Sequence, residues 1–300
     1  MWDKMLKPCD KRHQKDKVMF FPAIPPYEGV PQRRKQQLEN GNDLNLFMKL
    51  GITESEARAY CLEYGILCDA DFENGRLTNA GMHKLCEVNK CILEHQRLII
   101  CRGNEEDYVY LLSHQAHMVQ KPWEKPKVAI VMRSDGKGAG KGVLAHHLLA
   151  IVGCEGASKH AASVSDANAV LGDFNGVRSG KILLMLDEAY WAGSKRDKGK
   201  LRNLVTENTH DIRLMHTNPY TEESFMRIWF ASNDIHVVPY DEGERRFKLF
   251  ELDNRYAGVT TPENKAYFDP LWKLPHEVYA MFLYHYDISE WDPRSFRIGV

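Results

Sequence analysis

Residues 128–153 read VAIVMRSDGKGAGKGVLAHHLLAIVG, and this stretch decides the fold. It begins with a short continuous apolar run, Val128 to Met132, which is typical of a strand buried on both faces. A glycine-rich segment follows, and the apolar residues after it are spaced as in a helix that Gly153 closes. A buried strand, a glycine-rich loop and a helix in this order predict an α/β fold built on a mostly parallel sheet.

The loop between this strand and this helix has the chemistry of a phosphate-binding site. Its glycines allow successive backbone N–H groups to turn toward phosphate oxygens, and the N-terminus of the following helix adds its dipole. Lys141 supplies a positive charge for the β and γ phosphates. A flexible glycine loop that merely contains a lysine would lack the strand before it and the helix after it. We therefore predict ATP binding through Gly136, Lys137, Gly138, Ala139, Gly140, Lys141 and Gly142.

Two positions depart from the usual phosphate-binding loop. A glycine ordinarily stands six residues before the lysine, whereas this chain has Asp135 there. The hydroxyl residue that ordinarily follows the lysine and binds magnesium is replaced by Gly142. Magnesium would then be held by a carboxylate, the nucleotide and water, and Asp135 must point away from the triphosphate to avoid electrostatic repulsion.

A second apolar strand, KILLMLDEA at 181–189, ends in two acidic residues. Ligands of open α/β sheets bind at the carboxyl ends of the strands, which is where Asp187 and Glu188 stand. Two acids there fit a solvated strand end equally well when taken alone. Together with the loop upstream, they predict that Asp187 holds Mg²⁺ and that Glu188 polarises the attacking water as general base.

Two further strands carry polar residues at their ends. The run FMRIWFAS at 225–232 is followed by Asn233, which is placed to orient the attacking water. The run FKLFEL at 247–252 is preceded by Arg245 and Arg246, and an arginine in this position can reach a phosphate bound by a neighbouring subunit. The alternative is a surface ion-pair cluster with Glu242 and Glu244.

The flanking sequence predicts four regions along the chain. Residues 1–43, rich in charge, proline and glutamine, read as an extended basic arm. Residues 44–120 read as a helical domain, in which Thr53 and Glu56 have the spacing of a capping box. We place the ATPase core at 121–255 and a helical C-terminal segment at 256–300.

Bulk composition excludes some classes of protein. The 300 residues carry 40 Lys and Arg against 41 Asp and Glu, so a nucleic-acid surface must be a local patch. Seven scattered cysteines predict no disulfide framework, and Cys86, Cys91, His95 and Cys101 fit no common zinc spacing. No stretch has the ~20 apolar residues that span a bilayer, and the polar N-terminus resembles no secretory signal. We expect a cytoplasmic protein, in the cytosol of a host cell, with no membrane partner.

The order of these motifs resembles a known family. The segments are Pro122, GAGKG (138–142), DFN (173–175), LDEAYWAGSK (186–195), LRNLVTEN (201–208), ASND…VVP (231–239) and ERRF (244–247). Over roughly residues 84–295 the chain resembles the C-terminal helicase module of phage and mobile-element primase-helicases, in the poxvirus-type branch of helicase superfamily 3.

The resemblance implies a P-loop NTPase with an AAA+-like core that assembles as a homo-hexameric ring and moves along single-stranded DNA during replication. It implies that Lys141 is the Walker A lysine, that Asp187 and Glu188 form Walker B and that Asn233 is the sensor. Arg246 or Arg245 would act on the neighbouring subunit's nucleotide. A primase or polymerase is a further possible partner.

The resemblance also places a pore-facing hairpin at HDIRLMHTNPYTEES (210–224). Family members usually carry a Lys-Gly pair there, where this chain has Met215 and His216, so Arg213 and His216 are the predicted DNA contacts. At another position usually occupied by Trp this chain has His114.

The sequence thus predicts an ATP-dependent DNA helicase or translocase with ATP and Mg²⁺ as cofactors. The departures leave open a diverged module that binds nucleotide without cycling and serves DNA binding or assembly. A small-molecule P-loop kinase would need a lid and an acceptor pocket, and the sequence indicates neither.

Overall fold

A computed structural model describes residues 50–153, 159–187, 195–233, 244–258 and 261–296. Glu188, Glu242 and the predicted basic arm lie outside these ranges. In the part of the chain that is described, no helix is both long and apolar enough to cross a membrane.

Among the described residues, four helices precede the central sheet. They are α1 (Glu54–Glu63), α2 (Asn79–Val88), α3 (Lys90–His95), continued by a π-helical turn (Gln96–Ile100), and α4 (Glu105–Gln120). A short 3₁₀ turn (Asp69–Asp71) and a small hairpin of β1 (Phe72–Glu73) and β2 (Arg76–Leu77) connect α1 to α2. The sequence did not indicate this hairpin, since two-residue strands leave no periodic pattern.

The capping residues set where these helices begin. The Thr53 hydroxyl accepts from the Glu56 N–H, and the Glu56 carboxylate accepts from the Thr53 N–H, which confirms the predicted capping box. The Asn104 side chain accepts from two N–H groups at the start of α4, whose first turn carries three acids that favour the positive end of the helix dipole. Helix α4 ends at Gln120, two residues before Pro122, as predicted.

The middle of the chain alternates strands and helices. In order they are β3 (Ala129–Arg133), α5 (Lys141–Val152), β4 (Ala161–Val164), α6 (Ala167–Leu171), a 3₁₀ turn (Gly176–Arg178), β5 (Leu183–Asp187), α7 (Lys195–Thr206), β6 (Thr209–Ile212), β7 (Tyr220–Glu223), β8 (Arg227–Ser232) and β9 (Phe247–Glu251). Two helices follow, α8 (Pro262–Lys273) and α9 (His276–His285).

Five strands form one parallel sheet in the order β4-β5-β8-β3-β9, and β6 pairs with β7 in a separate antiparallel hairpin. The four strands that the sequence predicted are β3, β5, β8 and β9. Strand β4 was not predicted, because its residues, AASV, form no continuous apolar run and it lies at the edge of the sheet with one neighbour.

The sheet is covered on both faces. Side chains alternate along β3, so Ile130 and Met132 join one apolar cluster while Ala129 and Val131 join the other. The first cluster also contains buried residues of α1 to α5 and of α9, which packs against α1, α2, α4 and α5. The helices on either side of the ATPase region in sequence therefore share one core. The boundaries at 43, 120 and 255 stay a prediction.

His114 lies in that core. The fully buried ring is edge-on to Trp229 and Trp291, with ring centroids 5.6 and 6.0 Å apart. Burial holds the pKa of His114 well below its usual value, so the ring is neutral. A neutral imidazole among tryptophans serves as an aromatic core residue.

The described residues thus form an α/β fold with a central parallel sheet, a glycine loop after β3 and helices on both sides. This architecture is that of a P-loop NTPase, as the sequence predicted.

Candidate functional site

The site lies at the carboxyl edge of the sheet, where β3, β5 and β8 end side by side. Arg133 pairs with Ser232 across β3 and β8, and Asp187 pairs with Ala231 across β5 and β8. The residues that follow these strands are therefore brought together by the parallel register. This edge is where open α/β sheets place their ligands.

Lys141 is held at this edge by two polar side chains. Its ammonium donates to the hydroxyl of Ser134 and, at 2.6 Å, to Oδ1 of Asn233. The Ser134 hydroxyl donates to the carbonyl of Gly136 at 2.7 Å. The predicted lysine and sensor thus meet directly, and the structure adds Ser134, which the sequence reasoning missed. Its position directly after a buried strand was the available signal.

The glycine loop needs glycine at two positions for conformational reasons. Gly138 and Gly140 have φ of 82° and 96°, in the left-handed region that side chains disfavour. A Cβ on Gly140 would also collide with the ring of His95. Ala139 between them is buried and belongs to the first apolar cluster, so the rest of the protein packs against the loop at this residue.

Asp135 points away from the loop. Its carboxylate accepts from Arg133 Nη2 at 3.0 Å and from Asn254 Nδ2 at 3.4 Å, and 71% of the side chain is exposed. It lines a polar cavity of about 160 Å³ with Arg102, Arg133 and the residues that follow β9. The ion pair with Arg133 and the exposure to solvent together reduce the repulsion between Asp135 and a triphosphate that the sequence had led us to expect.

Gly142 faces open space, because a Cβ built there meets no atom within 4 Å. A hydroxyl residue would therefore fit without rearrangement at the position where such loops usually carry a magnesium ligand. The missing hydroxyl is a change of chemistry and not of shape.

We expect Gly142→Ser to tighten magnesium-dependent nucleotide binding by about three- to tenfold, since it adds one oxygen ligand or hydrogen bond. Titration with a non-hydrolysable ATP analogue, with Mg²⁺ and with EDTA, measures the gain. Gly142→Ala is the matched control, because it also replaces the glycine with a better helix former but adds no oxygen. An equal gain in both variants would show that helix propensity alone is responsible.

Asp187 ends β5 with its side chain exposed. Asp187 pairs with Ala231 of the neighbouring strand β8, two residues before Asn233. A carboxylate in this position has the oxygen ligands that Mg²⁺ prefers. Within the described residues no group of three or more His, Cys, Asp or Glu side chains forms a ready-made metal cage. One carboxylate beside the glycine loop fits a magnesium ion that a bound nucleotide would help to hold.

Arg245 and Arg246 lie at the amino ends of the sheet strands, opposite the carboxyl ends where the candidate site lies. They precede β9, and the Arg246 carbonyl accepts from the N–H of Ala129 at the start of β3. Arg246 donates to the buried carboxylate of Glu244, which also pairs with Arg202, while Arg245 is exposed. The predicted ion-pair alternative is therefore present for Arg246. Neither arginine can reach the glycine loop of its own chain, because roughly 16 Å of strand separates the amino ends of the sheet strands from their carboxyl ends.

The predicted hairpin is formed by β6 and β7, with an exposed turn. Arg213 leaves β6 with its guanidinium 5.7 Å from the centre of the Phe174 ring, and its backbone N–H donates to Oδ1 of Asn175. His216 is exposed in the turn with φ of 60°. The DFN segment thus supports the base of the hairpin, and both predicted DNA contacts face solvent.

Comparison with known proteins gives one family and several solved structures. The sequence profile of a family of unknown function, DUF5906, matches residues 132–246. Comparison with curated proteins gave no match. Two apo structures of the C-terminal region of NrS-1 are similar, each at 21% identity, with TM-scores of 0.56 and 0.54.

These two likenesses cover 68% and 67% of this chain but 46% of each NrS-1 chain, so the chain spans less than half of those structures. A structure of JCV helicase bound to a small molecule matches with a TM-score of 0.43 and 15% identity, over 86% of this chain and 67% of that one. At these identities the NrS-1 matches show a shared fold, in agreement with the topology described above.

Proposed function

We propose that this chain is an ATP-dependent DNA helicase or translocase that acts in phage or mobile-element DNA replication. The observation that carries the proposal is the convergence of Lys141 with Ser134 and Asn233 behind a loop whose glycines adopt positive φ. This arrangement is suited to binding a nucleoside triphosphate and sensing its terminal phosphate. The NrS-1 fold and the ordered motifs support the wider assignment.

In this proposal each polar residue at the carboxyl edge has one task. Lys141 exchanges Asn233 and Ser134 for the β and γ phosphates when ATP binds, and Asn233 is then released to orient the attacking water. Asp187 would hold Mg²⁺, which would supply positive charge beside the phosphates. Glu188 takes the proton from that water.

The arginines and the nucleotide site lie at opposite ends of the sheet strands, which suggests how subunits cooperate. An arginine that cannot reach its own nucleotide can act on the nucleotide of a neighbour when copies assemble head to tail in a closed ring. We propose a homo-hexamer, which is the ring that the resemblance to the helicase family implies. Arg213 and His216 at the exposed hairpin would then contact single-stranded DNA, and a primase or polymerase is a proposed partner. Action in the host cytosol is part of the same proposal.

A second candidate is a module that binds nucleotide without turning it over and serves assembly or DNA binding. The open position at Gly142, which lacks the usual magnesium-binding hydroxyl, favours it.

Steady-state ATP hydrolysis with and without single-stranded DNA separates the two. We expect DNA to stimulate turnover and Glu188→Gln to lower it by about 10²- to 10⁴-fold, because the general base is removed while the phosphate loop is intact. Glu207→Gln, an exposed glutamate after α7, is the matched control. Nucleotide binding without turnover in the unmodified chain would instead favour the non-cycling module.

A further inference from the structure

His95 connects the helical region before the sheet to the phosphate loop. The ring is buried, its Nε2 lies 3.3 Å from the carbonyl oxygen of Gly140, and its Nδ1 lies 3.0 Å from the hydroxyl of Tyr267. It is the last residue of α3, and the π-helical turn Gln96–Ile100 follows directly. Such turns occur frequently at functional sites.

The hydrogen-bond partners fix the tautomer of this ring. A carbonyl oxygen can only accept, so Nε2 must carry the proton and donate to Gly140. Nδ1 then accepts from the Tyr267 hydroxyl. Burial lowers the pKa of His95 to about 4 and raises that of Tyr267, so the imidazole is neutral and the phenol keeps its proton. Tyr267 itself stacks on Tyr256, with ring centroids 3.8 Å apart.

The Gly140 carbonyl also accepts from the N–H of Val143 at 3.2 Å, and the bond from His95 adds a second constraint on the peptide unit between Gly140 and Lys141. In a trans peptide the C=O and the N–H point in opposite directions. When the Gly140 carbonyl is held toward His95, the N–H of Lys141 must point to the other side of the loop. A second carbonyl is held in the same way, since Lys137 accepts from the N–H of Gly258 at 2.8 Å, which directs the N–H of Gly138 inward.

We propose that His95 is a positioning residue for the phosphate loop: by donating from Nε2 to the Gly140 carbonyl, it holds the Lys141 N–H in the orientation that receives a phosphate oxygen. This role rests on the proposed nucleotide site. It explains why Gly140 faces the ring so closely, since any side chain there would displace His95.

The test compares His95→Gln with His95→Leu. The two side chains are similar in size, but only glutamine carries an N–H that can reach the carbonyl. The probes are inorganic tripolyphosphate, which touches only the loop, and a non-hydrolysable ATP analogue, both followed by calorimetry. We expect Leu to weaken tripolyphosphate binding by about tenfold and Gln to stay within about threefold of the unmodified chain.

Equal affinities in the Leu and Gln variants would overturn the positioning role alone. If the unmodified chain binds neither probe, the proposed nucleotide site itself fails. Should the variants not fold, ¹⁵N NMR of the imidazole in the unmodified protein decides the matter: a ring protonated at Nε2 supports the proposal, and one protonated at Nδ1 overturns it.

Discussion

Lys141→Ala is expected to lower ATP turnover by at least about 10²-fold, the usual cost of removing a group that stabilises charge in the transition state. The lysine ammonium donates to both Ser134 and Asn233. Its removal leaves these two acceptors facing a triphosphate without a counter-charge. Nucleotide affinity should fall together with turnover. Steady-state hydrolysis and analogue binding measure both quantities.

Lys159→Ala is the control for this substitution, because Lys159 is an exposed lysine that precedes β4, at the amino ends of the sheet strands. We expect its turnover and affinity to match those of the unmodified chain. Thermal unfolding of both variants shows whether the loop or the whole fold has changed. Undiminished turnover in Lys141→Ala would refute the assignment of the phosphate site.

Alanine at Arg245 or Arg246 is expected to lower turnover by about 10³-fold or more, the range known for arginines that act on a neighbour's nucleotide. The two residues should differ in stability. Arg246 pairs with the buried carboxylate of Glu244, so its loss should also lower the midpoint of thermal unfolding. Arg245 is exposed, and its loss should leave that midpoint unchanged.

Mixing variants tests whether the arginine acts between subunits. Subunits with Arg245→Ala keep their own Glu188, and subunits with Glu188→Gln keep their own arginine. Where the two meet in a ring, one interface is complete, so mixtures should regain turnover that neither variant has alone. Mixtures that stay inactive at every ratio, for Arg246→Ala as well, would exclude an action in trans. Lys159→Ala, an exposed cation elsewhere, serves as the control.

The most regular elements could be predicted from sequence because their signals are local. The apolar run before the glycine loop, the capping box at Thr53 and the closing Gly153 each depend on residues within a few positions of one another. Strand β4 shows the limit of such signals. Its AASV sequence becomes a strand because β5 offers backbone partners, and that pairing is a long-range contact.

The candidate site divides in the same way. The glycines, Lys141 and Asp187 follow motifs with fixed spacing, so sequence alone placed them at strand ends. Ser134 directly follows β3, but its contact with Lys141 appears only in the folded loop. His95 is brought to the loop by packing, from a helix 45 residues upstream of Gly140. No spacing rule connects a histidine in a helical region to a carbonyl in a distant loop.

By itself, the sequence determined the α/β class, the glycine loop after β3 and four of the five strands of the parallel sheet, because these depend on residue types at short separations. Only the tertiary structure decided that Asp135 points to Arg133, that Gly142 faces open space and that Arg245 lies a full strand length from Lys141. The physical reason is that side-chain direction and distance between elements follow from the parallel register and from shared burial, which involve the whole chain at once.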